Sequence, residues 1–378
     1  METRILIGAD IVPTKNNYHE FIKGNVETLI GTKMSDILHN MDFTIFNLEV
    51  PLTDTIDPLP KCGPNLQAPC ETIKGIKKIN PFFFTLANNH IMDQKTQGLD
   101  STINILTREN IKYAGAGNNL HEASKPFIFE KNGIKVGIYC CAEREFSIAS
   151  EHKAGANPFD PLYSLDHIRK LNEDVDYTIV LYHGGKEHYR YPSPYLQKVC
   201  RRIVECGADL VVCQHSHCIG CEENWGKGKI IYGQGNFLFD DSDSEFWKTS
   251  LVIELIFNDD NNIEIKYIPI LKVDNGIRIA ENEEKEKIIK EFKARSKQIR
   301  EAEFIEIQYK KFAQSYINTY LRTGMPHNNS ILNKVINKLS KERWFVNRLK
   351  KEQKLALCNY LECEAHRELF IQGLKDSL

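Results

Sequence analysis

Six polar clusters combine carboxylates, amide oxygens and imidazoles, and each follows an apolar run. They are Asp10; Asn47 and Glu49; Asn88, Asn89, His90 and Asp93; His183 and Glu187; His215 and His217; and Asn236. That ligand mix, with no necessary thiolate, suits zinc, manganese or iron. The pair His215 and His217 is the sharpest element, because a loop with this spacing can aim both imidazoles at one ion. Taken singly, each has a plainer role. Asp10 fits a helix cap or turn, Glu49 a surface carboxylate before Pro51, and His90 a satisfied core histidine. The recurrence of one chemistry at six strand ends is what points to a shared site.

The elements that must position these residues are short runs rich in Ile, Val, Phe and Tyr, which read as buried strands. They are Arg4–Ala9, Phe43–Leu48, Phe82–Ala87, Lys135–Cys141, Tyr177–Tyr182, Leu210–Gln214 and Lys229–Tyr232. Amphipathic segments lie between many of them, the clearest being Gly98–Glu109 and Tyr195–Cys206, the latter stopped by Gly207. Ser250–Phe257 and Ile263–Leu271 read as a hairpin around the polar turn Asn258–Asn262. Strand–helix alternation followed by a hairpin predicts an α/β domain with a mixed sheet. In open α/β sheets ligands bind beyond the carboxyl ends of the strands, so residues far apart in sequence converge there.

Length and composition bound the rest. The chain has 378 residues, 42% hydrophobic and 26% charged, with formal net charge −2, which excludes a collagen, a disordered chain and a small disulfide scaffold. No apolar run approaches the ~18–20 residues of a membrane span, and the first residues do not read as a signal peptide. The eleven cysteines are odd in number and irregularly spaced, so they read as reduced thiols, including Cys218 and Cys221. These features set the expectation of a cytoplasmic protein. The near-zero charge hides an asymmetry: residues 285–378 carry 20 Lys/Arg against 11 Asp/Glu, and residues 1–284 carry 29 against 40. Strand signals also stop there. The expected division is a first domain over residues 1–275 and a basic helical module over 285–378. Ile331, Leu332, Val335, Ile336 and Leu339, then Trp344, Phe345, Leu349, Leu355, Tyr360 and Leu361, follow helical spacing in that module. It reads as a packed bundle or as basic helices meeting an anionic membrane surface or a protein partner. The acidic first domain and the lack of a recognition motif argue against nucleic acid.

Gly8-Ala9-Asp10, Asn47-Leu48-Glu49-Val50-Pro51, Ala87-Asn88-Asn89-His90-Ile91-Met92-Asp93, His183-Gly184-Gly185-Lys186-Glu187, Gly207-Ala208-Asp209 with His215-Ser216-His217, and Gly233-Gln234-Gly235-Asn236-Phe237 occur in this order over about residues 4–240. As a set they resemble the CapA family, named for the capsule and poly-γ-glutamate synthesis protein, within the calcineurin-like metallophosphoesterase superfamily. The resemblance implies a four-layer α/β/β/α sandwich, with one or two divalent transition metal ions (Mn, Zn or Fe) at the strand ends. By position, Asp10, Glu49, Asn89, His183, His215 and His217 are the implied ligands, with the last two dividing between the ions. His90 is the implied catalytic histidine. Glu187 is a base or an orienter of His183, or simply an acid at a helix start. Asn47, Lys61 and Asn236 are assigned to substrate, with Lys61 meeting an anion or remaining a surface lysine. The superfamily usually has Asp-x-His at the first strand and a bridging Asp; here position 12 is Val and the bridging position is Glu49.

The implied activity is metal-dependent hydrolysis of a phosphoester or amide bond in capsule or surface-polymer biosynthesis, with an anionic small molecule or polymer as substrate. The alternatives are a non-catalytic accessory or carrier protein that binds an anionic polymer or lipid-linked precursor, and a transferase on the same metal site.

Overall fold

The computed structural model describes residues 2–240, 242–258, 263–324 and 344–377. The strands are β1 (Thr3–Val12), β2 (Phe43–Leu48), β3 (Phe83–Thr85), β4 (Lys112–Ala114), β5 (Ala116–Gly117), β6 (Phe127–Lys131), β7 (Ile134–Ala142), β8 (Gly155–Ala156), β9 (Tyr177–His183), β10 (Leu210–Gln214), β11 (Glu222–Trp225), β12 (Gly228–Tyr232), β13 (Asn236–Phe239), β14 (Thr249–Phe257), β15 (Ile263–Val273) and β16 (Gly276–Ile279). One sheet runs β16-β15-β14-β1-β2-β3-β4, with β13 paired to β1, and a second runs β11-β12-β10-β9-β7-β6. In the first sheet β1 to β4 are parallel and β14 to β16 add antiparallel to β1; the second has a parallel centre and antiparallel margins, so both are mixed, as expected.

Alternation along the strands creates the layers. Ile5 and Ile7 of β1 face a core between the two sheets, together with Ile45, Ile138, Ile179, Leu181, Leu210 and Val212. The intervening Leu6 faces outward, into a core with Leu29, Met34, Leu38, Leu99 and Leu106. On the second sheet, Val180, Tyr182, Val211 and Cys213 face the opposite way and meet Leu171, Leu196, Val199 and Ile203. The result is helix, sheet, sheet, helix, the four-layer sandwich expected above. Strands covered on both faces read as continuous apolar runs, which is why they were visible in the sequence.

The outer helices are α1 (Tyr18–Lys23), α2 (Val26–His39), α3 (Ile73–Lys78) and α4 (Lys95–Arg108) on the first sheet, and, after the short α5 (Leu120–Ala123), α6 (Ser164–Asp174) and α7 (Pro194–Glu205) on the second. Helix α7 begins where the Ser193 side chain accepts the Leu196 N–H and Pro194 takes the first turn. It ends at Gly207, whose φ of 110° needs no side-chain accommodation. All eleven cysteines are free.

The chain divides into two compact units, Met1–Ile305 and Glu306–Leu378. The division falls later than the charge break at 275–285. Helix α8 (Asn282–Gln298) is strongly charged, yet it buries Ile288 and Phe292 beside Ile219, Leu251 and Ala280 of the first unit. Two apolar residues on one face outweigh the surrounding charge, because charges at a solvated face cost little. The second unit contains most of α9 (Phe304–Gly324) and the helices Trp344–Arg348, Lys351–Glu362 and Glu364–Asp376. Ile331, Leu332, Val335, Ile336 and Leu339, the side chains of Trp344 and Phe345, and most of the predicted hairpin turn lie outside the described residues. Among the described residues no helix is long and apolar enough to cross a membrane.

Candidate metal centre

The carboxyl ends of β1, β2, β9 and β10, and the segments following β3 and β12, meet at one place. Asp10 lies opposite Asn47 of β2 and Asn236 of β13, and both registers shift there, so the strands splay and leave room for side chains. Asp10 and Glu49 are fully buried. Asn47 donates through Nδ2 to Asp10 Oδ1 at 2.7 Å and stands 3.2 Å from His183 Nδ1. Asn88 in turn donates to Asn47 Oδ1 at 3.0 Å and to the Leu48 carbonyl at 2.9 Å, while its own oxygen accepts the His90 N–H. The double asparagine thus ties the turn after β3 to the end of β2 and presents Asn89.

Four ligand-type atoms crowd together on one side. His183 Nε2 is 3.0 Å from Asn89 Oδ1, 3.2 Å from His215 Nδ1 and 3.2 Å from Glu49 Oε1. On the other side His217 Nδ1 is 2.8 Å from Asn236 Oδ1 and 3.7 Å from Asp10 Oδ2. Glu49, His215 and His217 each offer one atom within 4.8 Å of the others. Both histidines of the loop adopt left-handed backbone, with φ of 85° at His215 and 52° at His217. That conformation is uncommon outside glycine and is held at functional sites by surrounding structure.

The electrostatics fit a cation. Asp10 Oδ2 and both oxygens of Glu49 are buried without a hydrogen-bond partner, an arrangement that is costly unless a positive charge faces them. Burial would raise the Glu49 carboxyl, but the charges of His183 and His217 outweigh it and hold it below the usual carboxylate range. Burial and the Glu49 charge raise Asp10. Burial disfavours protonated His217, yet Glu49 and Asp10 push it up to about 9. His183 is likewise raised by Glu49 against its burial, whereas burial and the two neighbouring imidazoles lower His215. Buried carboxylates thus draw protons onto imidazoles where a metal ion would supply the charge.

The remaining sequence-assigned residues fall in different places. His90 lies at the rim of the cluster, bonded to Asp93. Lys61 does not stand open to an anion: its side chain is 4% exposed and pairs with Asp93, with His90 Nδ1 3.3 Å away. Asn47 and Asn236 face ligand-type residues rather than an open mouth. Glu187 is outside the cluster, its side chain 46% exposed and 4.0 Å from Lys186; both ring nitrogens of His183 are engaged elsewhere.

Sequence reasoning missed Glu143 and Trp247. Glu143 follows β7 and shares a small cavity with Asn89, His183 and His215; burial raises its carboxyl, opposed by the Gly185 backbone N–H. It follows a strand end, like the other candidates, but within Glu143-Arg144-Glu145 it reads as a solvated turn. Trp247 covers His217 with ring centroids 4.7 Å apart and donates to His188 Nε2 at 2.8 Å. No local pattern marks it.

Comparison with known proteins bears on the same segment. The chain is 28% identical over 246 residues to the capsule biosynthesis protein CapA of Bacillus anthracis, covering 63% of this chain and 60% of the relative. It is 30% identical over 180 residues to the PGA biosynthesis protein CapA of Bacillus subtilis, covering 47% of each. The matches therefore span about half of these relatives' length. Among solved structures, a phosphatase from Mycoplasma pneumoniae superimposes with a TM-score of 0.45 and 13% identity, over 72% of this chain and 95% of that one. The family model described as bacterial capsule synthesis protein PGA_cap matches residues 6–241, from β1 through the Asn236 strand. That match contains every strand end that builds the cluster, and the chain belongs to the PGA_cap family.

Proposed function

We propose that this protein is a metal-dependent hydrolase that cleaves a phosphoester or amide bond in an anionic substrate of capsule or surface-polymer biosynthesis. The observation that carries the reading is the buried carboxylate of Glu49, which has no hydrogen bond and lies among His183, His215 and His217. Asp10, Glu49, Asn89, His183, His215 and His217 would hold the divalent ion or ions, of zinc, manganese or iron type. Such an ion lowers the pKa of water toward neutrality and neutralises charge developing on a phosphoryl or carbonyl oxygen. The chain's own residues supply the rest. His90, oriented by Asp93, is placed to hold or deliver a proton at its free ring nitrogen. Glu143 borders the approach to His183 and His215, and its raised carboxyl suits a second proton-handling group. Polymer chemistry is proposed from the family and the names of the Bacillus relatives.

The C-terminal helices are proposed to meet a protein partner or an anionic membrane surface. A purely accessory role has less support, because a carrier has no need to bury carboxylates without partners. The deciding experiment is metal analysis of protein purified without chelator, followed by a screen of phosphodiester, phosphomonoester and amide substrates with the metal found. Turnover that chelator abolishes and metal restores supports the reading. Folded protein that takes up neither zinc nor manganese removes it.

A further inference from the structure

The two sides of the centre differ in their donors, and Asn236 stands on the poorer side. On the side of His183, Asn89, His215 and Glu49 lie within 3.2 Å of one ring nitrogen. On the side of Asp10 and His217, the residue two beyond Asp10 is Val12, which offers no donor atom. The chain instead brings in Asn236. The turn Gly233-Gln234-Gly235 uses left-handed backbone at both glycines, and a Cβ at Gly235 would strike Ser250 and the Thr249 carbonyl. This reversal lays β13 parallel to β1 and sets Asn236 opposite Asp10.

Three observations separate a ligand from a substrate contact. Asn236 is 5% exposed, and the His217 ring beside it is covered by Trp247 and Phe239. Its Oδ1 faces His217 Nδ1 at 2.8 Å, while its Nδ2 is buried with no partner. Asp10 Oδ2, also buried and without a hydrogen bond, lies 3.7 Å from the same ring nitrogen. A carboxylate oxygen, an imidazole nitrogen and an amide oxygen thus gather at a point that Glu49 also approaches. All three are hard or borderline donors of the kind a divalent transition ion accepts.

We propose that Asn236 is a metal ligand: its side-chain oxygen, with Asp10, His217 and Glu49, binds a second divalent cation beside the one held by Asn89, His183, His215 and Glu49. This rests on the metal-dependent reading above and adds the number of ions and an assignment for Asn236.

The test counts ions. Full-length protein is stripped with chelator and titrated with Mn²⁺, with free Mn²⁺ read by electron paramagnetic resonance. The wild type is expected to bind two ions per chain. Asn236→Leu, which keeps the volume and removes the donor, is expected to keep one ion and weaken the other by at least about tenfold, the scale of losing a group that shapes a metal site. Asn236→Asp is expected to retain two, with the second held more tightly. Two ions bound by Asn236→Leu with wild-type affinity overturn the proposal, as does a wild type that binds one. If the Leu variant does not fold, the Asp variant decides: a tighter second ion supports the assignment, and an unchanged or weaker one overturns it. A folded wild type that binds no ion removes the metal-dependent reading itself, and is thereby distinguished from failure of the Asn236 assignment alone.

Discussion

His90 Nδ1 lies 2.5 Å from Asp93 Oδ2, and Lys61 pairs with the other oxygen of that buried carboxylate. The Leu66 N–H donates to Oδ2 as well, at 2.6 Å, and the Leu59 N–H to the Asp93 backbone carbonyl. Asp93 is therefore the point where the segment after β2 is fastened to the turn that carries Asn89 and His90. One carboxylate orients the proposed catalytic histidine and anchors the segment after β2.

This geometry separates His90 from the proposed metal ligands. His90→Ala is expected to lower turnover by roughly 10²–10⁴-fold on the substrate found by screening, the usual range for losing a positioned acid or base. Metal content should stay at the wild-type level. Elemental analysis of the variant checks the assignment: loss of metal makes His90 a ligand, and full activity makes it structural.

Lys61 is expected to act on stability rather than on substrate affinity. Lys61→Met leaves Asp93 buried beside a neutral side chain, and removing one partner of a buried pair costs about 3–5 kcal/mol. Urea unfolding should show that loss, and adding Asp93→Asn should recover part of it, because the uncompensated charge is then gone. An unchanged unfolding midpoint in Lys61→Met would return the residue to a surface role.

Metal should stabilise the first unit. An ion bound only by the folded chain contributes about 2.7 kcal/mol at a concentration 100 times its dissociation constant. Adding manganese or zinc to stripped protein should raise the melting temperature. Glu49→Ala should abolish the effect, since Glu49 faces the histidines of both sides of the centre. A rise of equal size in Glu49→Ala places the ion elsewhere.

Much of this centre was legible in the sequence, for a physical reason. Parallel strands buried on both faces stand out as apolar runs, and the polar residues that follow them are at the sheet edge where ligands bind. Asp10, Glu49, Asn89, His183, His215 and His217 meet as that rule implies. Lys61 reads as a substrate contact in the sequence because its type is visible and its partner is not, and the neighbours of Asn236 are equally hidden. Lys61 meets Asp93 across 32 residues and Asn236 meets Asp10 across 226, contacts that register and loop packing decide. Glu143 was hidden by charged neighbours. Helix α8 was placed in the wrong module because composition averages over a segment, whereas docking depends on which one or two side chains face inward.

Glu222 supplies a pH-dependent test of that docking. Its buried carboxylate pairs with Lys293 of α8 at 2.5 Å, with Lys229 at 3.1 Å and with the Tyr267 hydroxyl. Burial raises its pKa, but these contacts outweigh burial and lower it. A carboxyl lowered in the folded state contributes stability in full above its unfolded pKa, about 4.3, and loses it as pH falls through the folded value. The stability advantage of wild type over Glu222→Gln should therefore shrink from about pH 6 to about pH 3. An advantage that is constant or grows on acidification contradicts the linkage.

The same contacts fix where the chain can be cut. Beyond Phe292, α8 gives Ser296, which accepts the Glu222 N–H at 2.9 Å, and Arg295, which donates to the Gly220 carbonyl at 2.8 Å. Ile299 and Ile305 then join the core of Val199, Ile203 and Tyr232 behind the second sheet. Gly220 lies three residues after His217, so α8 braces the loop that carries the two left-handed histidines. A chain ending at residue 305 is expected to remain folded and to bind metal with the affinity of the full chain. A chain ending at residue 280 exposes the pocket of Phe292 and Ile288 and frees the Gly220 carbonyl. Loss of a buried Phe alone costs about 3–5 kcal/mol, so its unfolding midpoint should fall well below that of the longer chain. Its metal affinity should fall as well, because the His215 and His217 loop loses its support. Equal stability and affinity in the two shortened chains would show that α8 is dispensable and would return the boundary to the charge break near residue 280.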